Sequence, residues 1–178
     1  MKSLVTGANG FVGSAVARCL LEAGHEVRCL VRAGSDQSNL KGLPVEISEG
    51  DLRDVSSLKR AVSNCENLFH VAADYRLWVP DPETMYDINV KGTQELILAA
   101  YEADVSRIIY TSSVATLGIN SDASPANEST PSSLNNMTGH YKRSKFLAEQ
   151  VVQHLTNKHQ LPLVIVNPST PVGPRDIK

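Results

Sequence analysis

Apolar residues recur along this chain in two alternating rhythms. Short apolar runs at Lys2–Val5, Glu26–Val31, Val45–Ser48, Asn67–Val71, Arg107–Thr111 and Leu163–Val166 predict strands. Between them, Phe11–Glu22, Val55–Ser63, Pro82–Glu102 and Gly139–Asn157 place apolar side chains three and four residues apart, the period of an amphipathic helix. Strands that alternate with helices need crossover connections, and crossovers make neighbouring strands parallel. The expected fold class is therefore α/β, a doubly wound, all-parallel sheet of order 3-2-1-4-5-6 with helices on both faces. Ser35–Pro44 and Gly118–Met137 are polar loops rich in Ser, Asn and Pro, and the second is long enough to expect a functional role.

Composition narrows the class without changing it. The chain has 178 residues, 42% hydrophobic and 20% charged, enough for one core in one domain. A net charge of −2 gives no electrostatic footprint for nucleic acid or an acidic membrane. No apolar run approaches a membrane span, and Asn9, Arg18 and the glycines break up Leu4–Gly24 as a leader. Cys19, Cys29 and Cys65 are odd in number, irregular in spacing and set in apolar segments. Buried reduced thiols and a cytoplasmic location are expected. His25, His70, His140, His154 and His159 show no metal-ligand spacing, so no metal is expected, and His70 reads as a satisfied core histidine.

Candidate chemistry begins at Thr6–Gly13, Thr-Gly-Ala-Asn-Gly-Phe-Val-Gly, where the first strand meets the first helix. Gly7 permits a tight turn, Gly10 lets a pyrophosphate approach the backbone, and Gly13 lets the helix pack close to the strand. The helix start then offers N–H groups and the positive end of its dipole to an anion. Gly7, Asn9, Gly10, Phe11, Val12 and Gly13 are the expected contacts. The spacing G-x-x-G-x-x-G is one residue longer than the dinucleotide fingerprint, and a glycine turn with no ligand would look the same.

Cofactor choice is read at the end of the second strand. A dinucleotide site that holds ribose hydroxyls places an acid there. Here the strand ends Cys29-Leu30-Val31-Arg32, with no acid before Asp36. A guanidinium suits a ribose 2′-phosphate, so NADP(H) is expected ahead of NAD, with Ser35 as an added donor. The alternative is a solvated loop arginine.

Tyr141 and Lys145 stand four apart at the start of the last helix and share a face. A phenol with an ordinary pKa of about 10 is a poor base, but a nearby ammonium favours the phenolate. Tyr141 is thus a candidate acid/base. Taken alone, an exposed Tyr and Lys on an amphipathic helix have the same spacing.

The two motifs together resemble the extended branch of the short-chain dehydrogenase/reductase family. Further landmarks follow in its order: Asp51-Leu52-Arg53, His70-Val71-Ala72-Ala73, Asn89-Val90-Lys91-Gly92-Thr93, Tyr110-Thr111-Ser112-Ser113 and Asn167-Pro168-Ser169. Ala72-Ala73-Asp74-Tyr75-Arg76-Leu77-Trp78, the stretch Tyr110–Gly118 and the stretch Asn167–Arg175 are similar to bacterial hopanoid-associated sugar epimerases and to dihydroflavonol 4-reductases. The resemblance implies that Ser113 polarises a substrate carbonyl, with Thr111 and Ser112 as rivals. It implies that Tyr141 is the acid/base and that Lys145 holds the nicotinamide ribose. Asp51 would accept from the adenine amine or serve as a turn or cap aspartate, with Leu52 beside it. Ala72 and Ala73 would line the cofactor, Asn89 would start a helix and fix the adjacent strand, and Pro168 would lie near the nicotinamide. Each of these has a plain packing or capping alternative.

The resemblance also implies a smaller substrate-binding part after Lys178. This chain is therefore expected to be the N-terminal piece of a longer enzyme, homodimeric at full length, and not independently active. The expected function is a nicotinamide-dependent reductase or epimerase acting on a hydroxyl/carbonyl centre of a small molecule. The alternative is a non-catalytic NAD(P)-binding sensor or scaffold. Tyr75, Leu77 and Trp78 are expected to be packed loop residues, with a substrate wall or subunit contact as the other readings.

Overall fold

A computed structural model describes residues 1–122 and 124–176. Six strands, β1 (Lys2–Thr6), β2 (Glu26–Val31), β3 (Glu46–Glu49), β4 (Asn67–His70), β5 (Arg107–Thr111) and β6 (Leu163–Val166), form one sheet. Its order is β3-β2-β1-β4-β5-β6, parallel throughout, as the alternation of runs predicts. Val5 lies opposite Cys29 on one side and Phe69 on the other, so β1 is central and its carboxyl end is the point where strand order reverses.

Five helices complete the described fold: α1 (Phe11–Glu22), α2 (Val55–Val62), α3 (Pro82–Tyr86), α4 (Gly92–Glu102) and α5 (Gly139–His159). Alternate residues of each strand feed opposite faces of the sheet. Leu4 and Leu30 join Leu58, Leu68, Leu96, Ile108 and Val152 in a core under α2, α4 and α5. Val5, Val27, Cys29 and Val31 join Ala17 and Leu20 in a second core under α1. The second core thins toward the far edge. On β6, Leu163 and Ile165 pack against the first core, while Val164 and Val166 are 51% and 40% exposed.

Three expectations are corrected. β4 ends at His70 rather than Val71, because the Thr6 hydroxyl accepts from the N–H groups of Val71 (3.2 Å) and Ala72 (3.1 Å) and so ends the ladder. The helix expected over Pro82–Glu102 is broken by a π turn at Asp87–Lys91. The wide turn carries Asn89 inward, where it is 2% exposed; it neither starts nor caps a helix. Cys29 and Cys65 are buried free thiols, but Cys19 is exposed on α1.

Two buried polar groups show how the frame is tied. Arg28 on β2 donates to Glu46 (2.8 Å) and to the carbonyls of Ala61 and Ser63 (both 2.7 Å), closing the carboxyl end of α2. His70 is the satisfied core histidine expected, bonded through Nδ1 to Thr6 (2.8 Å) and through Nε2 to Thr93 (2.9 Å). Burial lowers its pKa to about 3, with the Lys145 charge a smaller cause, so it is neutral at ordinary pH.

Candidate active site

The glycine turn sits at the carboxyl end of β1. Gly7 has φ +67°, and a Cβ there would lie 2.8 Å from the Ala72 backbone, so both the turn and the approach of β4 demand glycine. At Gly13 a Cβ would come within 2.1 Å of the Gly7 carbonyl, because α1 packs directly on the turn. Gly10 differs. A Cβ there would meet only the Gly7 carbonyl, at 3.3 Å, a tight contact that a small shift relieves, so the fold demands less of Gly10 than of Gly7 or Gly13. Gly10 is also the cap residue of α1 and supplies no side chain to the helix start. The first-turn N–H groups of Phe11, Val12 and Gly13 are the ones an α-helix leaves without intrahelical partners. No side-chain cap fills this helix start.

Asn9 is committed to structure. Its Nδ2 donates to the Asp36 carbonyl (2.9 Å), and its own carbonyl accepts from Asn39 (3.3 Å), which also donates to the Arg175 carbonyl (3.2 Å). The chain after β6 thereby returns to the glycine turn, with Gly173 against the Phe11 ring. This return was not legible in the sequence, since it rests on one amide shared between two distant carbonyls.

Beyond β2 lies a cleft of about 650 Å³, lined by Arg32, Gly34, Ser35, Asp51, Arg53 and Arg60 among others. Arg32 is exposed, and its guanidinium makes no hydrogen bond among the described residues. Ser35 is not the free donor expected: its hydroxyl donates to the Arg32 carbonyl (2.7 Å) and tightens the turn. Asp51 accepts from the backbone and guanidinium of Arg53, both contacts at 2.9 Å, and that pairing holds its carboxyl below the usual range. The cap of α2 is Asp54, not Asp51. Leu52 is buried in the first core and does not line this cleft. Ala72 and Ala73 are half-buried beside the glycine turn.

The second group gathers around α5. Lys145 is 3% exposed and donates to the Tyr110 hydroxyl (3.0 Å) and the Thr111 carbonyl (2.8 Å). Those bonds use two of its three protons. Burial lowers the Lys145 pKa to about 8, opposed by the charge of Glu149. Burial likewise pushes the Tyr110 phenol up, so it stays protonated. Tyr141 is half-buried one turn before Lys145, and its hydroxyl has no protein partner among the described residues.

Among the three rivals at the end of β5, contacts differ. The Ser112 hydroxyl donates to Glu149. The Thr111 carbonyl serves Lys145. Ser113 caps a short 3₁₀ turn (Val114–Thr116), its Oγ accepting from the Ala115 N–H (3.1 Å), which leaves its own proton uncommitted. That turn packs against α5. Pro168 fastens it from the other side, its carbonyl accepting from the Val114 N–H (3.1 Å).

Asn89 joins two elements. It accepts from the Asp74 N–H (2.7 Å) and donates to the Asp74 carbonyl (2.8 Å) and to the Ser144 hydroxyl (2.9 Å). Ser144 donates to the Tyr141 carbonyl (2.8 Å), so the loop after β4 is fixed to the turn that carries Tyr141. Tyr86 adds a second tie, its hydroxyl 3.1 Å from His140 Nδ1. Between these ties Tyr75, Leu77 and Trp78 are 58%, 89% and 79% exposed, so they are not the packed loop residues expected.

Sequence reasoning missed Glu149. It stands four residues past Lys145 on the same face of α5, and the i, i+4, i+8 series from Tyr141 was the available signal. Among the described residues no cluster of His, Cys, Asp and Glu could hold a metal, and no helix is long and apolar enough to cross a membrane.

Known proteins share this sequence pattern and fold. A Synechocystis sp. protein named "Putative dihydroflavonol 4-reductase" is 47% identical over 98% of this chain and 50% of its own length. The crystal structure of gox2253 superposes with a TM-score of 0.94 at 60% identity, covering 98% of this chain and 53% of that one. A short-chain dehydrogenase/reductase superfamily protein from Agrobacterium tumefaciens, solved with bound NAD, gives 0.77 at 28% identity over 94% of this chain and 48% of that one. The chain thus spans about half the length of the relatives it matches. With residues 3–178 matching its profile, this chain belongs to the NAD dependent epimerase/dehydratase family.

Proposed function

We propose that this chain is the cofactor-binding and proton-transferring part of an NADP(H)-dependent reductase acting on a carbonyl of a small-molecule substrate. The observation that carries the reading is the joint state of three side chains. Lys145 is buried with one proton to spare, Tyr141 has an unpartnered hydroxyl one turn away, and Ser113 keeps a free hydroxyl proton on a turn packed against the same helix. A sensor or scaffold has no use for such a relay.

When bound, the nicotinamide supplies the hydride. The chain's own residues do the rest. Gly10–Gly13 and the start of α1 hold the pyrophosphate. Arg32 takes the 2′-phosphate by charge-assisted hydrogen bonds, which favours NADP(H) over NAD. The third proton of Lys145 is available to a ribose hydroxyl. Ser113 donates to the substrate oxygen and Tyr141 gives that oxygen its proton. Tyr75, Leu77 and Trp78 offer an apolar wall to the substrate. Full-length protein is proposed to be a cytoplasmic homodimer.

Arg32 and the reductase name of the Synechocystis relative favour reduction over epimerisation. The test is a panel of aromatic and aliphatic carbonyl compounds and nucleotide sugars, assayed with the full-length protein and NADPH. Net, stoichiometric loss of NADPH with a carbonyl substrate is expected. Interconversion of sugar epimers with no net change in cofactor would overturn the reductase reading.

A further inference from the structure

One carboxylate near this site has no part in the mechanism above. Glu149 is half-buried, and its Oε2 accepts from the Ser112 hydroxyl, from the Thr116 hydroxyl (2.9 Å) and from Asn167 Nδ2 (3.1 Å). Ser112 and Thr116 flank Ser113, and Asn167 leaves β6 immediately before Pro168. The Ser113 carbonyl competes for the same donors, with Thr116 Oγ1 at 2.8 Å and Asn167 Nδ2 at 3.2 Å. Thr116 has a single hydroxyl proton and Asn167 two amide protons, so one set of donors ties the carboxylate, the Ser113 turn and the exit of β6 together. Three donor groups converge on one carboxylate oxygen, more than a surface glutamate needs, and they meet it in a partly dry site where each contact counts for more.

Glu149 also carries charge into a place that has little. The titratable groups around Lys145 are His70 on β4, Tyr110 on β5, and Tyr141 and Glu149 on α5. His70 is neutral through burial, and Tyr110 keeps its proton. Glu149 stands one helical turn from Lys145 on the same face of α5 and is, among these groups, the carboxylate whose charge acts on the Lys145 ammonium. We propose that Glu149 is a positioning residue with two duties: it fixes the turn that presents Ser113, and it supplies the negative charge that keeps Lys145 an ammonium. The proposal rests on the catalytic reading of Ser113, Tyr141 and Lys145.

The geometry offers a way to separate the two duties. All three groups at Oε2 are donors, and a glutamine carbonyl can accept from the same three. Glu149→Gln therefore removes the charge and keeps the anchor, whereas Glu149→Ala removes both. The first readout needs no substrate. Lysine labelled with ¹³C at Cε is titrated by NMR in the full-length protein, with Lys145 assigned by its loss in Lys145→Met. Glu149→Gln is expected to lower the Lys145 midpoint by about one pH unit. The second readout is turnover. Glu149→Gln should stay within about twofold of the native protein at pH 6, where Lys145 is protonated in both, and fall roughly fivefold behind near pH 8. Glu149→Ala should lose turnover at both pH values. An unchanged Lys145 midpoint in Glu149→Gln overturns the charge role, and native turnover by Glu149→Ala overturns the anchoring role. If no substrate is turned over by the native protein, the catalytic reading fails, while the NMR midpoint still decides whether Glu149 sustains the lysine charge.

Discussion

The two halves of the sheet's carboxyl edge are built from different materials. Around β1–β3 the site is mostly backbone: a positive-φ glycine, a helix laid on a carbonyl and an uncapped helix start, with the exposed arginines Arg32, Arg53 and Arg60 lining the cleft beyond it. Around β4–β6 it is side chain. Asn89, Ser144, Lys145, Glu149 and Asn167 hold Tyr141 and Ser113 through bonds spanning 15 to 55 residues of sequence. Backbone suits a ligand part that is always the same, since an N–H cradle binds any phosphate. A side-chain network suits proton transfer, which needs particular atoms at particular places and a controlled charge.

The contrast breaks most sharply at the glycines. Gly13→Ala puts a methyl 2.1 Å from the Gly7 carbonyl, and neither backbone can yield without moving α1 off β1. Its cost is expected to reach or exceed the ~1–3 kcal/mol typical of overpacking, and a denaturant melt would show it. Native stability in Gly13→Ala would mean that the helix does not rest on the turn.

Arg32 sharpens the comparison on the binding side. Native protein should bind NADPH roughly tenfold or more tighter than NADH, the worth of one charge-assisted hydrogen bond, and Arg32→Asp should reverse the order. Calorimetric titration with both cofactors measures it. Equal affinities in the native protein would remove the reason for preferring NADP(H).

The smallest effect belongs to His70, which ties β1 to α4 beneath the chemical half. Its folded pKa of about 3 lies below the ordinary 6.5. As pH falls from 6.5 the unfolded chain takes up a proton that the native chain refuses, so native stability falls with acid. Between pH 6.5 and 5, above the range where carboxylates titrate, His70→Gln should flatten that dependence of the denaturant midpoint. Parallel slopes for the two proteins would show that His70 is not held neutral.

How much of this was legible follows the same division. The strand order, the glycine turn and α1 were readable because local sequence causes them: three spaced glycines, an apolar run before and a helical period after. Tyr141 and Lys145 were readable as a spacing on one helix. The π turn was not, because Asn89 is drawn inward by Asp74 and Ser144, and no periodicity over Pro82–Glu102 records a partner 55 residues away. Glu149 and Arg28 escaped for a similar reason. Each is a charged residue in an element whose pattern predicts a solvated position, and each is held inside by distant carbonyls or hydroxyls. Ser112 is set apart from Thr111 and Ser113 by its hydroxyl's bond to Glu149, which three adjacent hydroxyl residues do not record.

The central claim is that phosphate binding and proton transfer reside in separate parts of this edge. The most direct test compares Gly10→Ala with Tyr141→Phe in the full-length protein, measuring NADPH affinity and turnover on each. Gly10→Ala should fold, since its methyl meets a single carbonyl at 3.3 Å, yet bind NADPH at least tenfold more weakly. Tyr141→Phe should bind NADPH within about threefold of the native protein while turnover falls a hundredfold or more, the usual worth of a positioned acid/base. A Tyr141→Phe protein that turns over like the native one would contradict the account, and the non-catalytic cofactor-binding reading would replace it.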